Sequence, residues 1–190
     1  MTADLNYGDL FEAIAQVIPE RPAIRYGDRE IRWGEFDRRT NRLARFLLAA
    51  GLQTGSKVAF YLRNTPAYVE LFAACAKARL THANVNYRYV GAELLHVIGN
   101  SDAEAVVYDP EFAPQVRELR SRLPAVKIWL ENAAPCLNEF SHALEDVVGS
   151  GNDAPLGNKR SGTDLYFMYT GGTTGYPKAV MWQHRDRIAV

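Results

Sequence analysis

Between residues 57 and 130 the sequence switches repeatedly between apolar runs of strand length and segments whose apolar residues recur at helical spacing. "KVAFYL" (57–62) is a continuous apolar run, and Pro66 then opens "PAYVELFAACAKA", with Val69, Leu71, Phe72 and Cys75 at helical intervals. "THANVN" follows, then "GAELLHVIGNS" as helix, "AEAVVYD" (103–109) as strand, "PEFAPQVRELRSRL" as helix and "AVKIWL" (125–130) as strand. Strands without polar alternation have no face to offer to water, so helices must cover both sides of the sheet they form. The pattern predicts an α/β fold, a mostly parallel sheet with flanking helices joined by right-handed crossovers.

The flanking segments are simpler. Leu10, Phe11, Ile14, Val17 and Ile18 lie at helical spacing, and Pro19 and Pro22 end that helix. Tyr26-Gly27-Asp28-Arg29 between two short alternating runs predicts a hairpin. Residues 34–50 read as an amphipathic helix with Phe36, Thr40, Leu43, Leu47 and Ala50 on one stripe and Gly51 at its end. Arg38, Arg39, Arg42 and Arg45 lie elsewhere on that helix, and a solvated face is favoured over a phosphate patch. "NEFSHALEDVV" reads as a weaker helix, "GSGNDAPLGNKRSGTD" as loop and "DLYFMYT" as strand.

Composition narrows the class. A chain of 190 residues with 47% hydrophobic content makes one domain, or part of a larger one. Its 22 basic and 22 acidic residues cancel, which argues against a nucleic-acid partner. Cys75 and Cys136 show neither CxxC spacing nor a histidine companion, so they read as reduced thiols. The acidic start and the lack of a long apolar run predict a soluble cytoplasmic protein without an integral membrane segment. Oligomeric state is not legible. His82, His96, His142 and His184 are too scattered for a metal motif, and the first three read as ordinary core or surface residues, so no metal ligand is expected.

The chemistry concentrates in "YFMYTGGTTGYPKAV" (166–180). Gly171, Gly172 and Gly175 let backbone N–H groups converge on an anion without Cβ obstruction. Thr170, Thr173 and Thr174 add hydroxyl donors, and Lys178 adds a flexible ammonium. Such a set suits a polyphosphate. The spacing is not that of GxxxxGK[ST], because Tyr176 and Pro177 separate the last glycine from the lysine and Ala179 follows it. A GxGxxG fingerprint is also missing.

These residues resemble a known signature. "YTGGTTGYPKAV" is similar to the YTSGTTGxPKGV motif of adenylate-forming (AMP-binding) enzymes, among them acyl-CoA synthetases, peptide-synthetase adenylation domains and luciferases. The order of elements upstream fits the same family, so the resemblance covers nearly the whole chain. "NVNYRYVGAELLHVIGNSDAEAVVYD" resembles the acyl-CoA synthetase branch, and "YTGGTTG" followed by "VMWQH" resembles actinobacterial fatty-acyl and steroid-side-chain CoA ligases.

The resemblance implies a two-step reaction. A carboxylate attacks the α-phosphorus of Mg-ATP to give acyl-AMP and pyrophosphate, and the thiol of coenzyme A then displaces AMP. Residue by residue, Thr170, Gly171, Gly172, Thr173, Thr174, Gly175 and Lys178 would hold the β and γ phosphates, with Lys178, Thr173 and Thr174 catalytic. His184 would shape the pocket of the carboxylic acid substrate, or else be a surface residue at a helix start. ATP, Mg2+ and coenzyme A are the expected cofactors.

Some positions depart from the pattern. Gly171 stands where serine is common, Ala179 where glycine is usual, and Arg79 where a helix commonly ends in glycine. If position 179 needs positive φ, alanine there costs on the order of 1 kcal/mol. Relatives in this family continue for several hundred residues past the loop. Residues 1–190 are therefore expected to be a partial N-terminal domain, ending shortly after the loop at 169–180, without the C-terminal domain and inactive alone. Two alternatives stay open: a non-catalytic nucleotide-binding or interaction fragment, and a different adenylating enzyme such as a peptide-synthetase adenylation domain.

Overall fold

The computed structural model of the chain describes residues 4–171 and 175–188. Helix α1 (Tyr7–Val17) starts at a reciprocal cap: Asn6 Oδ1 accepts the N–H of Gly8 at 2.6 Å and Asp9 Oδ2 accepts the N–H of Asn6 at 2.9 Å. Strands β1 (Pro22–Tyr26) and β2 (Arg29–Arg32) form the expected hairpin, with Gly27 at φ +57° in the turn. Helix α2 (Trp33–Ala49) follows at once, and Gly51, at φ +94°, carries the chain away from its end.

The main sheet then builds up through β3 (Lys57–Tyr61), α3 (Pro66–Ala78), β4 (Thr81–Asn84), α4 (Gly91–Asn100), β5 (Ala103–Tyr108), α5 (Ala113–Leu119), β6 (Ile128–Glu131), β7 (His142–Ala143) and α6 (Leu144–Gly149). Last come β8 (Leu165–Thr170), β9 (Lys178–Gln183) and the short α7 (Arg185–Ile188). Strand order is β7-β6-β5-β3-β4-β8-β9, parallel throughout except that β9 runs antiparallel to β8.

Period-two alternation sorts the strand residues between two cores. Val58, Phe60, Ala105, Val107, Ile128 and Leu130 face α2, α3 and α6. Ala59, Tyr61, Val106, Tyr108 and Trp129 face α4 and α5. Both sets are buried, which explains why these strands read as unbroken apolar runs.

Four expectations need correction. "NEFSHALEDVV" is helical only in its second half, because His142 and Ala143 pair with Leu130 and Glu131 and leave Leu144 to begin α6. "KAVMWQ", which carries no strand expectation, forms β9, made possible by a partner edge on β8. Ala179 lies inside that strand and is not among the positive-φ residues, so the supposed glycine conformation is not required.

Of the four arginines of α2, Arg38 is exposed as expected, but the other three are not a solvated face. Arg39 is buried and donates to both oxygens of Glu70 on α3 and both oxygens of Glu145 on α6. Arg42 donates to the Val148 and Gly151 carbonyl oxygens and to Asp153, and Arg45 donates to the carbonyl oxygens of Ala154 and Pro155. They fasten the segment after α6 to α2.

A second polar cluster fixes the other side of the helix layer. Lys77 is fully buried, and its ammonium donates to Asp37 Oδ1 at 2.6 Å, Thr40 Oγ1 at 2.8 Å and Asn41 Oδ1 at 2.8 Å. Burial lowers its pKa, against the opposing pull of Asp37. Gly8 passes so close to this turn that an added Cβ would lie 3.0 Å from the Lys77 backbone.

Candidate functional site: the loop between β8 and β9

The carboxyl ends of the parallel strands, at Tyr61, Asn84, Tyr108, Glu131, Ala143 and Thr170, lie along one edge of the sheet. Open α/β sheets bind ligands at that edge. The strand order reverses between β3 and β5, but the crevice there is filled by the chain itself. Asp109 accepts the Arg63 N–H at 2.7 Å and the Asn132 amide at 2.7 Å, and the Arg63 guanidinium pairs with Glu111 above the Tyr87 ring. The glycine-threonine loop leaves the same edge two strands away, from β8.

Its geometry is that of a hairpin tip. Thr170 and Lys178 are register partners at the last rung, and Thr170 Oγ1 lies 3.5 Å from the Lys178 carbonyl oxygen. Thr170, Gly171, Gly175, Tyr176 and Lys178 are exposed, whereas Pro177 is buried. Gly172, Thr173 and Thr174 lie outside the described residues. The structure thus brings together Thr170, Gly171, Gly175 and Lys178 of the expected set. Hydroxyl, ammonium and open backbone at one tip can neutralise and orient a phosphate chain.

Residues that the sequence does not single out hold the base of this tip. Asn84, at the end of β4, accepts the Tyr169 N–H on its Oδ1 at 2.5 Å. Tyr169 in turn donates its hydroxyl to Asn100 Oδ1 at 2.8 Å. The Tyr89 hydroxyl lies near Gly171, 3.8 Å from where a Cβ would be, so a larger residue at 171 remains in ordinary contact distance. These partners are 85 and 69 residues away from Tyr169 in the chain, beyond the range of any local sequence signal.

His184 lies elsewhere. Its ring is 2% exposed, and its Nδ1 accepts the backbone N–H of Tyr7 at 3.1 Å. Tyr7, Phe72 and Tyr166 surround it, with ring centroids 5.2, 6.4 and 5.7 Å away. Burial pushes its pKa down to about 4 despite the nearby Asp164 and Asp9, so the imidazole is neutral near pH 7. It is not a surface residue. Tyr7, Phe72 and Tyr166 line one side of an apolar groove of about 520 Å³, together with Phe11, Tyr68 and Met168. His82, also buried and pushed down to about 3 by desolvation first and His184 second, forms part of its wall.

Among the described residues no group of histidine, cysteine, aspartate or glutamate could hold a metal ion, and no helix is long and apolar enough to cross a membrane.

Comparison with known proteins places the chain in a family. The model of the family described as "AMP-binding enzyme" matches residues 11–190. The 3-oxocholest-4-en-26-oate–CoA ligase of Rhodococcus rhodochrous is 37% identical over 186 residues, which cover 96% of this chain and 34% of that protein. The medium/long-chain-fatty-acid–CoA/3-oxocholest-4-en-26-oate–CoA ligase of Mycobacterium marinum is 36% identical over 194 residues, covering 98% and 35%. The inhibitor-bound crystal structure of the N-terminal domain of FACL13 from Mycobacterium tuberculosis superposes with a TM-score of 0.83 at 26% identity, over 94% of this chain and 44% of that one. The chain spans about a third of the length of the curated relatives it matches. With nearly its whole length matched by the family model, the chain belongs to the AMP-binding enzyme family.

Proposed function

We propose that these 190 residues form part of the N-terminal domain of an acyl-CoA ligase, which activates a carboxylic acid with ATP to acyl-AMP and then to acyl-CoA. The observation that carries the reading is the β8–β9 tip, where Thr170 and Lys178 face each other at the ligand-binding edge of the sheet. Thr170, Gly171, Gly172, Thr173, Thr174, Gly175 and Lys178 grip the β and γ phosphates of Mg-ATP, the magnesium entering with the nucleotide. Lys178, Thr173 and Thr174 neutralise charge on the departing pyrophosphate, so the acid displaces it at a lower barrier.

The acid is of the fatty or steroid-side-chain class, in keeping with the activities for which the Rhodococcus and Mycobacterium relatives are named. The apolar groove beside Phe72 and Tyr166 has the chemistry to accept such a molecule. His184 enters this reading through the groove wall, where its ring packs against Tyr7, Phe72 and Tyr166 and so shapes the pocket.

Acid-dependent exchange of pyrophosphate into ATP tests the reading. The assay uses these 190 residues joined to the remaining two thirds of the Rhodococcus relative, with that relative as control. Exchange that rises with a fatty or steroid-side-chain acid and disappears in Lys178→Ala supports the reading. Background exchange with an active control rejects it.

A further inference from the structure

Helix α4 touches the phosphate-loop hairpin at two points one turn apart. His96 and Asn100 lie four residues apart on the same face. Asn100 takes the hydroxyl of Tyr169 on the limb that enters the loop, at 2.8 Å. His96 meets the limb that leaves it. Its ring stacks on Tyr176 with centroids 4.6 Å apart and planes at 30°, and its Nε2 lies 3.3 Å from the Pro177 carbonyl oxygen.

We propose that His96 is a positioning residue, a latch on the Tyr176–Pro177 limb that sets where Gly175 and Lys178 stand relative to the phosphates. The inference rests on the phosphate-binding reading of the loop given above. Three properties support it. First, the support is rigid: Leu94, Val97 and Ile98 on the opposite face of α4 are buried in the core under β3 and β5. Second, the contact has direction as well as area. A carbonyl oxygen accepts only from an Nε2 that carries a proton, so the ring fixes the orientation of the Pro177 peptide as well as covering Tyr176. Third, it falls at the right place. Pro177 directly precedes Lys178, the cation of the site and the first residue of β9, so the peptide that His96 holds is the one from which Lys178 projects.

A phosphate clamp built on a loop is accurate only as far as its supports are rigid. Gly175 and Tyr176 are exposed and make no ladder pair with β8, so stacking on His96 replaces the order that the ladder would supply. His96 does this without touching phosphate: the groups that meet the anion are Thr170, Lys178 and the loop backbone.

Hydrogen exchange in the chain, read for the β8–β9 ladder at its loop end against β3 and β5, tests the latch without any ligand. In His96→Ala, exchange at the loop end of the β8–β9 ladder should speed up about tenfold while the two central strands stay protected. Tyr176→Ala, at an exposed position where misfolding is not at issue, should do the same. His96→Phe, which keeps the stack and loses the Pro177 contact, should fall between. Affinity for Mg-pyrophosphate should drop in step, about three- to tenfold in His96→Ala. Unchanged exchange in both alanine variants overturns the latch. Faster exchange with unchanged pyrophosphate affinity overturns its positioning role. If the unaltered chain does not bind pyrophosphate, the phosphate reading of the loop fails, and that result is separate from the latch, which the exchange rates then decide.

Discussion

Lys178 stands opposite Thr170 at the rung where the β8–β9 hairpin opens into its glycine-threonine tip, and both side chains are exposed. An ammonium at that point has much to offer a phosphate and little to offer the fold. Lys178→Ala should therefore weaken binding of Mg-ATP and pyrophosphate about 10- to 100-fold, the range of one or two charge-assisted contacts. Stability should change by no more than about 0.5 kcal/mol, as at other surface positions. Calorimetric titration alongside urea unfolding checks both, and a variant that binds as well as the parent removes Lys178 from the site.

Arg39 is the opposite case. It joins three helices by pairing with Glu70, which is 1% exposed, and with Glu145, which is partly open to water. Arg39→Ala leaves the Glu70 carboxylate buried without its partner, and should cost about 3–5 kcal/mol. Arg39→Lys should also destabilise, because one ammonium cannot reproduce two bidentate contacts. In Arg39→Ala/Glu70→Leu much of the loss should return, since the orphaned charge is then gone. Denaturant melts of the three variants decide it; a double variant no better than Arg39→Ala would rule out the buried-charge account.

Which parts of this molecule the sequence discloses follows from how far each signal reaches. The parallel sheet is legible because strands such as β3 and β5 are buried on both faces and carry a charge only near their starts, at Lys57 and Glu104, so little confuses the period. The loop stands out because its glycines, threonines and lysine fall within a few residues of one another, and the phosphate role proposed for it rests on that local signal. Long-range pairing is not. Arg39 reads as solvated because its partners are 31 and 106 residues distant, and nothing near position 39 reveals them. "VMWQ" does not announce a strand because β9 is an edge whose Val180 and Met181 are exposed, so apolar alternation, the usual sign, is missing. In sequence His96 reads as an ordinary residue and His184 stands out only through the family resemblance, yet one meets the loop and the other lies under α1, placements that only the packing of α4 and β9 creates.

His184 and its environment make stability pH-dependent. Its folded-state pKa, about 4, lies below the ordinary histidine value near 6.5, so the unfolded chain binds the extra proton between those values. Stability is then greatest above pH 6.5 and falls as pH drops toward 4. Between pH 7 and pH 5 this one group should remove about 2 kcal/mol. His82, with a folded value of about 3, acts in the same sense. Asp164 and Glu145, held below their usual values once burial is outweighed by Arg79 and Arg39 respectively, add losses that are common to all variants. His184→Asn keeps an acceptor for the Tyr7 N–H but cannot titrate. Its stability should fall less between pH 7 and pH 5 than that of the parent, by about the same 2 kcal/mol. Equal slopes in urea melts at the two pH values would show that the ring is not buried in neutral form.

Arg79 combines a strained backbone with a strong side-chain contact. It closes α3 at φ 60° and ψ 33°, the left-handed region where a glycine would be at ease. Its guanidinium meanwhile donates from Nε and from a terminal nitrogen to Asp164, at 2.8–3.1 Å. Asp164 also accepts from Asn6, the cap of α1, so the pair links the end of α3 to the start of β8 and to the first helix. Left-handed backbone costs a non-glycine residue about 1–2 kcal/mol, and a partly buried charged hydrogen bond contributes about 1.5–3 kcal/mol. Arg79→Gly removes both and should be destabilising by roughly 1 kcal/mol. Arg79→Ala loses the pair while keeping the strain, and should be worse by about the cost of the strained backbone, 1–2 kcal/mol. The expected order of stability is parent, glycine variant, alanine variant. A glycine variant more stable than the parent would mean that the Asp164 contact is weaker than the strain it offsets, and the arginine at this helix end would then lack a stabilising role.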